Sequence, residues 1–244
     1  MKKKPHMPSF FIIFSILLIF TILLFLFVKE ADILKKSKTV SSPTQISVII
    51  DAGHGGEDGG AVGNKNVYEK DLNLSIALKV GKMLEDEGIN VIYSRTEDIL
   101  LYDRNVDYTN RKKALDLAAR VKLANDTENA VFVSIHMNSF PQSQYKGLQV
   151  YYSKNDTRSK ELAQAIQSAV KAQLQPQNNR KITEATSRIY LLDRIQKPAI
   201  LIECGFLSNS EECRLLTTEI YQKNLSEIIS NEIIKYIEKY YQTY

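Results

Sequence analysis

Apolar positions fall into two regimes along this chain. Residues 10–28 run for 19 positions with only Ser15 and Thr21 as polar members. At about 1.5 Å per helical residue, such a run spans roughly the 30 Å hydrocarbon core of a bilayer, which predicts a transmembrane helix. Past residue 45 the apolar runs are short and alternate with segments of helical spacing. Runs at 46–50, 89–93, 130–135 and 199–202 are β-branched or aromatic without clean alternation, the pattern of strands covered on both faces. Residues 147–152 and 189–192 read as two further strands. Leu72, Ile76, Val80 and Leu84 form one stripe of a helix over 69–87, with Gly88 as its stop. Helices over 111–125, 157–174 and 219–240 carry comparable stripes. Strands alternating with helices predict one α/β domain, its mostly parallel sheet of roughly six strands flanked by helices.

This divides the chain into a tail and anchor at 1–28, a polar tether at 29–45 and a folded domain at 46–244. A cleaved secretory signal is the competing reading of the N-terminus. Signal h-regions usually run about 7 to 15 residues before a small-x-small site, and Lys29-Glu30-Ala31-Asp32 offers none, which favours a retained anchor. Lysines lie on both sides of the span, so charge alone does not orient it. The short leading tail resembles a signal-anchor and places the domain outside the cytosol. Charge adds an exclusion. Lys+Arg 32 against Asp+Glu 28 gives +4, yet residues 1–45 hold seven lysines against Glu30 and Asp32, which leaves the domain slightly acidic. A nucleic-acid surface, which needs clustered Lys and Arg, is not expected. Two cysteines are too few for a disulfide scaffold.

Candidate chemistry gathers where strands end. The first is followed by Asp51-Ala52-Gly53-His54-Gly55-Gly56, the third by His136-Met137-Asn138, and the run at 199–202 by Glu203-Cys204-Gly205. In open α/β sheets, ligands bind outside the carboxyl ends of the strands. The chain has three histidines, His6, His54 and His136, so the domain holds only the two at these strand ends. Neutral imidazole with carboxylate oxygen is a zinc donor set. Glu57, Asp58 and Glu69 are the nearest acids for a third ligand. Glu69 opens a helix after a glycine-rich loop, where the helix dipole alone also favours an acid. Asp51 is a candidate acceptor for an imidazole N–H. Glu203, at the end of an apolar strand, suits a general base of raised pKa, or else emerges at the surface. Cys204 reads as a small core residue, with a metal ligand or a disulfide to Cys213 as alternatives.

The motifs 48–63, 69–74, 133–138 and 198–209, in series, resemble the zinc-dependent N-acetylmuramoyl-L-alanine amidase family, and the similarity runs from residue 46 to about 240. The resemblance implies that His54, Glu69 and His136 bind zinc and that Glu203 is the catalytic carboxylate. Arg95, Arg120 and Asn125 also match family positions of structural type. The membrane run, the compact size and Asn110-Arg111-Lys112-Lys113-Ala114 resemble the germination-specific, spore-cortex subgroup. That implies hydrolysis of the amide between the N-acetylmuramic acid lactyl group and L-alanine of peptidoglycan, leading to muramic-δ-lactam. It also implies a location in the forespore intermembrane space and an activating lipoprotein partner. Two other readings are a zinc peptidase cutting within the stem peptide and a non-catalytic, membrane-tethered wall-binding module.

Overall fold

The computed structural model describes residues 21–22, 29, 46–102 and 111–241. The expected anchor at 10–28 and tether at 29–45 therefore lie, but for three positions, outside the described residues. Among the described residues no helix is long and apolar enough to cross a membrane. The chain divides into 1–44 and 45–244, and the sheet with its flanking helices belongs to the second unit.

The first apolar run becomes β1, Ser47–Ala52, buried at every position. It pairs in parallel with β2, Asn90–Tyr93, on one side and β3, Ala130–Asn138, on the other. The last apolar run forms β6, Ala199–Phe206, parallel to β3. Two short strands complete the sheet beyond β6. β4, Gln149–Tyr152, runs antiparallel to β6, and β5, Thr183–Glu184, runs parallel to β4. The order is β2-β1-β3-β6-β4-β5.

Both faces of the central strands are covered, which explains why their sequences do not alternate. Val48, Ile50, Val133, Ile135, Ile200 and Ile202 pack under three helices: α1, Glu69–Asp86; α3, Arg158–Gln173; and α6, Glu219–Tyr241. Ile49, Phe132, Ala199 and Leu201 face the other way. There they meet α2, Lys112–Asp126, and the short α4, Tyr190–Arg194. A further helix, α5, Ser210–Leu216, follows β6 and packs on it.

Two sequence expectations change. Residues 189–192 are not a strand: Leu191 and Leu192 are buried in the helical turn α4, and Arg194 stacks over the Tyr190 ring at 3.9 Å. A four-residue apolar run cannot by itself distinguish a strand from a buried helical turn. The sixth strand is instead the exposed β5, whose Thr183 and Glu184 carry no apolar signal. Helix α5 was not anticipated, although its signal is present. Asn209 accepts N–H bonds from Glu211 and Glu212, and an N-cap followed three residues later by Glu is a helix-start signature.

Candidate metal centre

The centre starts at the end of β1, where the backbone leaves the sheet in an unusual conformation. His54 has φ 61, followed by Gly55 at 138 and Gly56 at 52. A left-handed non-glycine residue costs on the order of 1–3 kcal/mol and persists only when its surroundings over-determine it. Two buried guanidiniums do so here. Arg95 donates to the carbonyls of Ala52 (2.9 Å) and Gly53 (3.0 Å), and Arg120 donates to those of Ala52 and His54, both at 2.8 Å. Arg120 is itself held by Asp51 and, within α2, by Asp116 one turn earlier.

Glu69 occupies the first turn of α1 and is 3% exposed. Its Oε2 accepts from the Ala61 N–H at 2.8 Å, and its Oε1 from the Met137 N–H at 3.0 Å and Asn73 Nδ2 at 3.3 Å. The glycine-rich loop folds against this carboxylate. A Cβ at Gly60, whose φ is 67, would lie 2.5 Å from Oε2, so no side chain fits there. At Gly53 the close neighbour is the His136 ring: a Cβ would fall 2.2 Å from Nε2.

His136 and Glu203 come from adjacent strands and stand opposite one another in the β3–β6 register, just before that register shifts. Glu69 Oε1 lies 3.0 Å from His136 Nδ1 and 3.2 Å from His54 Nε2. The imidazole centroids are 5.0 Å apart and nearly perpendicular. One ligand atom from each of His54, Glu69 and His136 lies within 4.8 Å of the others, so this group can hold a metal ion. Both imidazole side chains remain 16% exposed, which leaves the cluster open to a small ligand on one side.

Electrostatics separate the two glutamates. Burial works against the charged form of Glu69, but the two imidazoles hold its carboxyl well below the usual carboxylate range. Burial also disfavours protonation of His54, yet Asp58 and Glu69 raise its pKa to about 9. The same negative charge attracts a divalent cation. Burial pushes the Glu203 carboxyl up to about 7; Glu69 adds to that shift, while the imidazoles and Arg180 oppose it. Glu203 is half-buried as a residue, but its Oε2 is enclosed and without a hydrogen-bond partner.

Asp51 does not face an imidazole as expected. It is fully buried and accepts from Arg120 and Ser134, so it supports the loop from beneath. The acid at His54 is Asp58, whose Oδ2 is 2.9 Å from Nδ1, four residues along the same loop. Glu57 points away, to Lys112 and Tyr102. Asn73, which steadies Glu69, was missed in the sequence, although i to i+4 spacing on α1 places the two side chains on one face. Asn125 ties the end of α2 to the end of α4 and the loop after it, donating to Arg194 O and accepting from Gln196 N. Cys204 and Cys213 are both buried free thiols within the core.

Comparison with known proteins agrees with this geometry. The family pattern described as N-acetylmuramoyl-L-alanine amidase matches residues 48–235. The germination-specific N-acetylmuramoyl-L-alanine amidase of Bacillus subtilis (strain 168) is 38% identical over 237 residues, covering 97% of this chain and 96% of that protein. The structure of the CwlD amidase from Clostridioides difficile, in complex with the GerS lipoprotein, is similar with a TM-score of 0.75 and 41% identity, over 80% of this chain and 100% of that one. An N-acetylmuramoyl-L-alanine amidase from Clostridium difficile 630 gives 0.70 and 35%, over 81% and 99%. With two imidazoles and a carboxylate gathered at the strand ends of such a fold, the chain belongs to the N-acetylmuramoyl-L-alanine amidase family.

Proposed function

We propose that His54, Glu69 and His136 hold a zinc ion and that Glu203 serves as the proton carrier for hydrolysis of the bond between the muramic lactyl group and L-alanine. The observation that carries this reading is the convergence of three ligand atoms within 4.8 Å, beside a carboxylate with an enclosed, unpartnered oxygen. The donors fit the metal. Zinc takes imidazole nitrogen and carboxylate oxygen at about 2.0–2.2 Å, which sets tetrahedral ligand atoms roughly 3.3–3.6 Å apart. Glu69 Oε1 stands 3.2 Å from His54 Nε2 and 3.0 Å from His136 Nδ1, so the two imidazoles need only close toward each other to share an ion. Asp58 Oδ2, 2.9 Å from His54 Nδ1, stands where an outer partner of an imidazole ligand would be. When bound, zinc supplies Lewis acidity toward a carbonyl and lowers the pKa of water.

The protein's own groups do the rest. Glu203, with a pKa near 7, can accept a proton from the attacking water and return it to the departing amine of L-alanine. Glu69, held ionised by the imidazoles, does not compete for that proton. The opposed positions of His136 and Glu203 in the sheet keep the carrier at a fixed place beside the cluster.

The spore cortex is the proposed setting, with muramic-δ-lactam as the eventual product. The similarity to a germination-specific amidase along nearly the whole chain supports it. The solved relative in complex with a lipoprotein supports a lipoprotein partner for this chain as well. Residues 10–28 are proposed to anchor the domain, 46–244, outside the cytosol in the forespore intermembrane space, through the tether at 29–45. Mass spectrometry of muropeptides after incubation with the purified protein tests the reaction. Free lactyl groups and intact peptides are expected, and a chelator should abolish both. Shortened peptides on unaltered lactyl links would replace this reading with the stem-peptidase one.

A further inference from the structure

The groove beside Glu203 carries two arginines with no contact to the metal-binding cluster. It measures about 470 Å³, and its lining includes Asn138, Glu203, Tyr151, Phe206, Arg180 and Arg188. Arg180 is fixed in place. Its Nε donates to Gln149 Oε1 at 3.1 Å, its Nη2 donates to the same oxygen, and its guanidinium lies 4.8 Å over the Phe206 ring. Gln149 cannot turn away, because its Nε2 is committed to Lys181 O and Thr183 Oγ1 at 3.0 Å each. Gln149 also stands opposite Glu203 in the β4–β6 register, so Arg180 sits a set distance along the groove from the proton carrier. Arg188 is exposed, and among the described residues its side chain makes no hydrogen bond or ion pair. Among the described residues neither arginine forms an ion pair with a carboxylate, although the charge of Arg180 is felt at Glu203 and Glu212.

We infer that Arg180 and Arg188 form an anion subsite for the stem peptide, taking a free carboxylate on the residue after L-alanine. This rests on the proposed function, and its direction follows from it. If Glu203 returns the proton to the departing amine, the amine side of the scissile bond lies at Glu203. The groove opening from Glu203 toward β4 and β5 then receives the rest of the peptide. Planar guanidiniums bind carboxylates through paired, charge-assisted hydrogen bonds, and a partly enclosed groove strengthens them. The subsite reads the charge of the second stem residue, so it separates a free acid from its amide.

The test uses the zinc-loaded full chain and two muramoyl tripeptides that differ only in that carboxylate, free or amidated. The free acid is expected to be favoured by about tenfold in kcat/KM, mostly through KM, as for loss of a hydrogen bond to a charged group. Arg188→Gln and Arg180→Gln should bring the ratio close to one, and Arg188→Lys should retain part of it. Calorimetric binding of the two free peptides to the Glu203→Ala protein should show the same preference without turnover. A wild-type ratio near one, or a ratio unchanged in both glutamine variants, overturns the inference and leaves the hydrolytic reading intact. Failure of the wild type to cleave either substrate overturns the hydrolytic reading, and this inference with it.

Discussion

Glu69 and Glu203 both adjoin His136, one through its side chain and the other across the strand register, yet they have opposite characters. Glu69 is surrounded by donors: two backbone N–H groups, the Asn73 amide and two imidazoles. Glu203 lies among apolar strand residues with one oxygen unpartnered. One carboxyl is therefore held ionised, and the other is poised near neutrality. Two residues of the same type acquire different roles from their surroundings, not from their own chemistry.

That contrast can be broken from the Glu69 side most severely. Replacing the shared neighbour, His136→Ala, should abolish turnover and remove zinc, measured as metal content after gel filtration together with lactyl release. Retained zinc with normal turnover would end the ligand assignment. Breaking the other side should separate the two properties. Glu203→Ala is expected to keep zinc and to lose about 10²–10⁴ in rate, the span of general acid–base catalysis. A protein that cleaves normally without this carboxylate would exclude it as proton carrier. A milder change sharpens the comparison by weakening only the support of a ligand. Asp58→Asn keeps the size of the group beside His54 Nδ1 but removes its charge, and zinc affinity should fall about 10- to 100-fold in a competition titration with a chelator. The smallest effect is expected at Asn73→Ala, which removes one of several donors to Glu69. A loss of about 1 kcal/mol of stability by thermal unfolding is the expected result.

Much of the fold was legible because burial on both faces leaves a simple mark. The strands at 46–50, 89–93, 130–135 and 199–202, and the four long helices, lie within a few residues of their expected places. The failures occur where that mark is weak. Residues 189–192 are apolar but too few to show a period, and β5 is two exposed residues long. In the centre, the positions after β1, near the end of β3 and along β6 were identifiable because histidine or glutamate is unusual at the end of an otherwise apolar run. The support beneath them was named only through the family resemblance, at Arg95 and Arg120, and its partners were not. Arg120 and Asp51 are 69 positions apart, and Ser134 reaches Asp51 over 83, so no local pattern could pair them.

The amino-acid order by itself determined which segments are apolar enough to be strands, which are periodic enough to be helices, and which reactive residues stand at their ends. These are local properties, set by side-chain chemistry within a few neighbouring positions. Only the tertiary structure decided that Asp58 rather than Asp51 faces His54, that His54 is held in a left-handed backbone, and that Glu203 has an oxygen without a partner. Those outcomes depend on which groups the crossing strands and helices bring within hydrogen-bond reach. Desolvation and pairing arise from the packed arrangement and are absent from any stretch of chain taken alone.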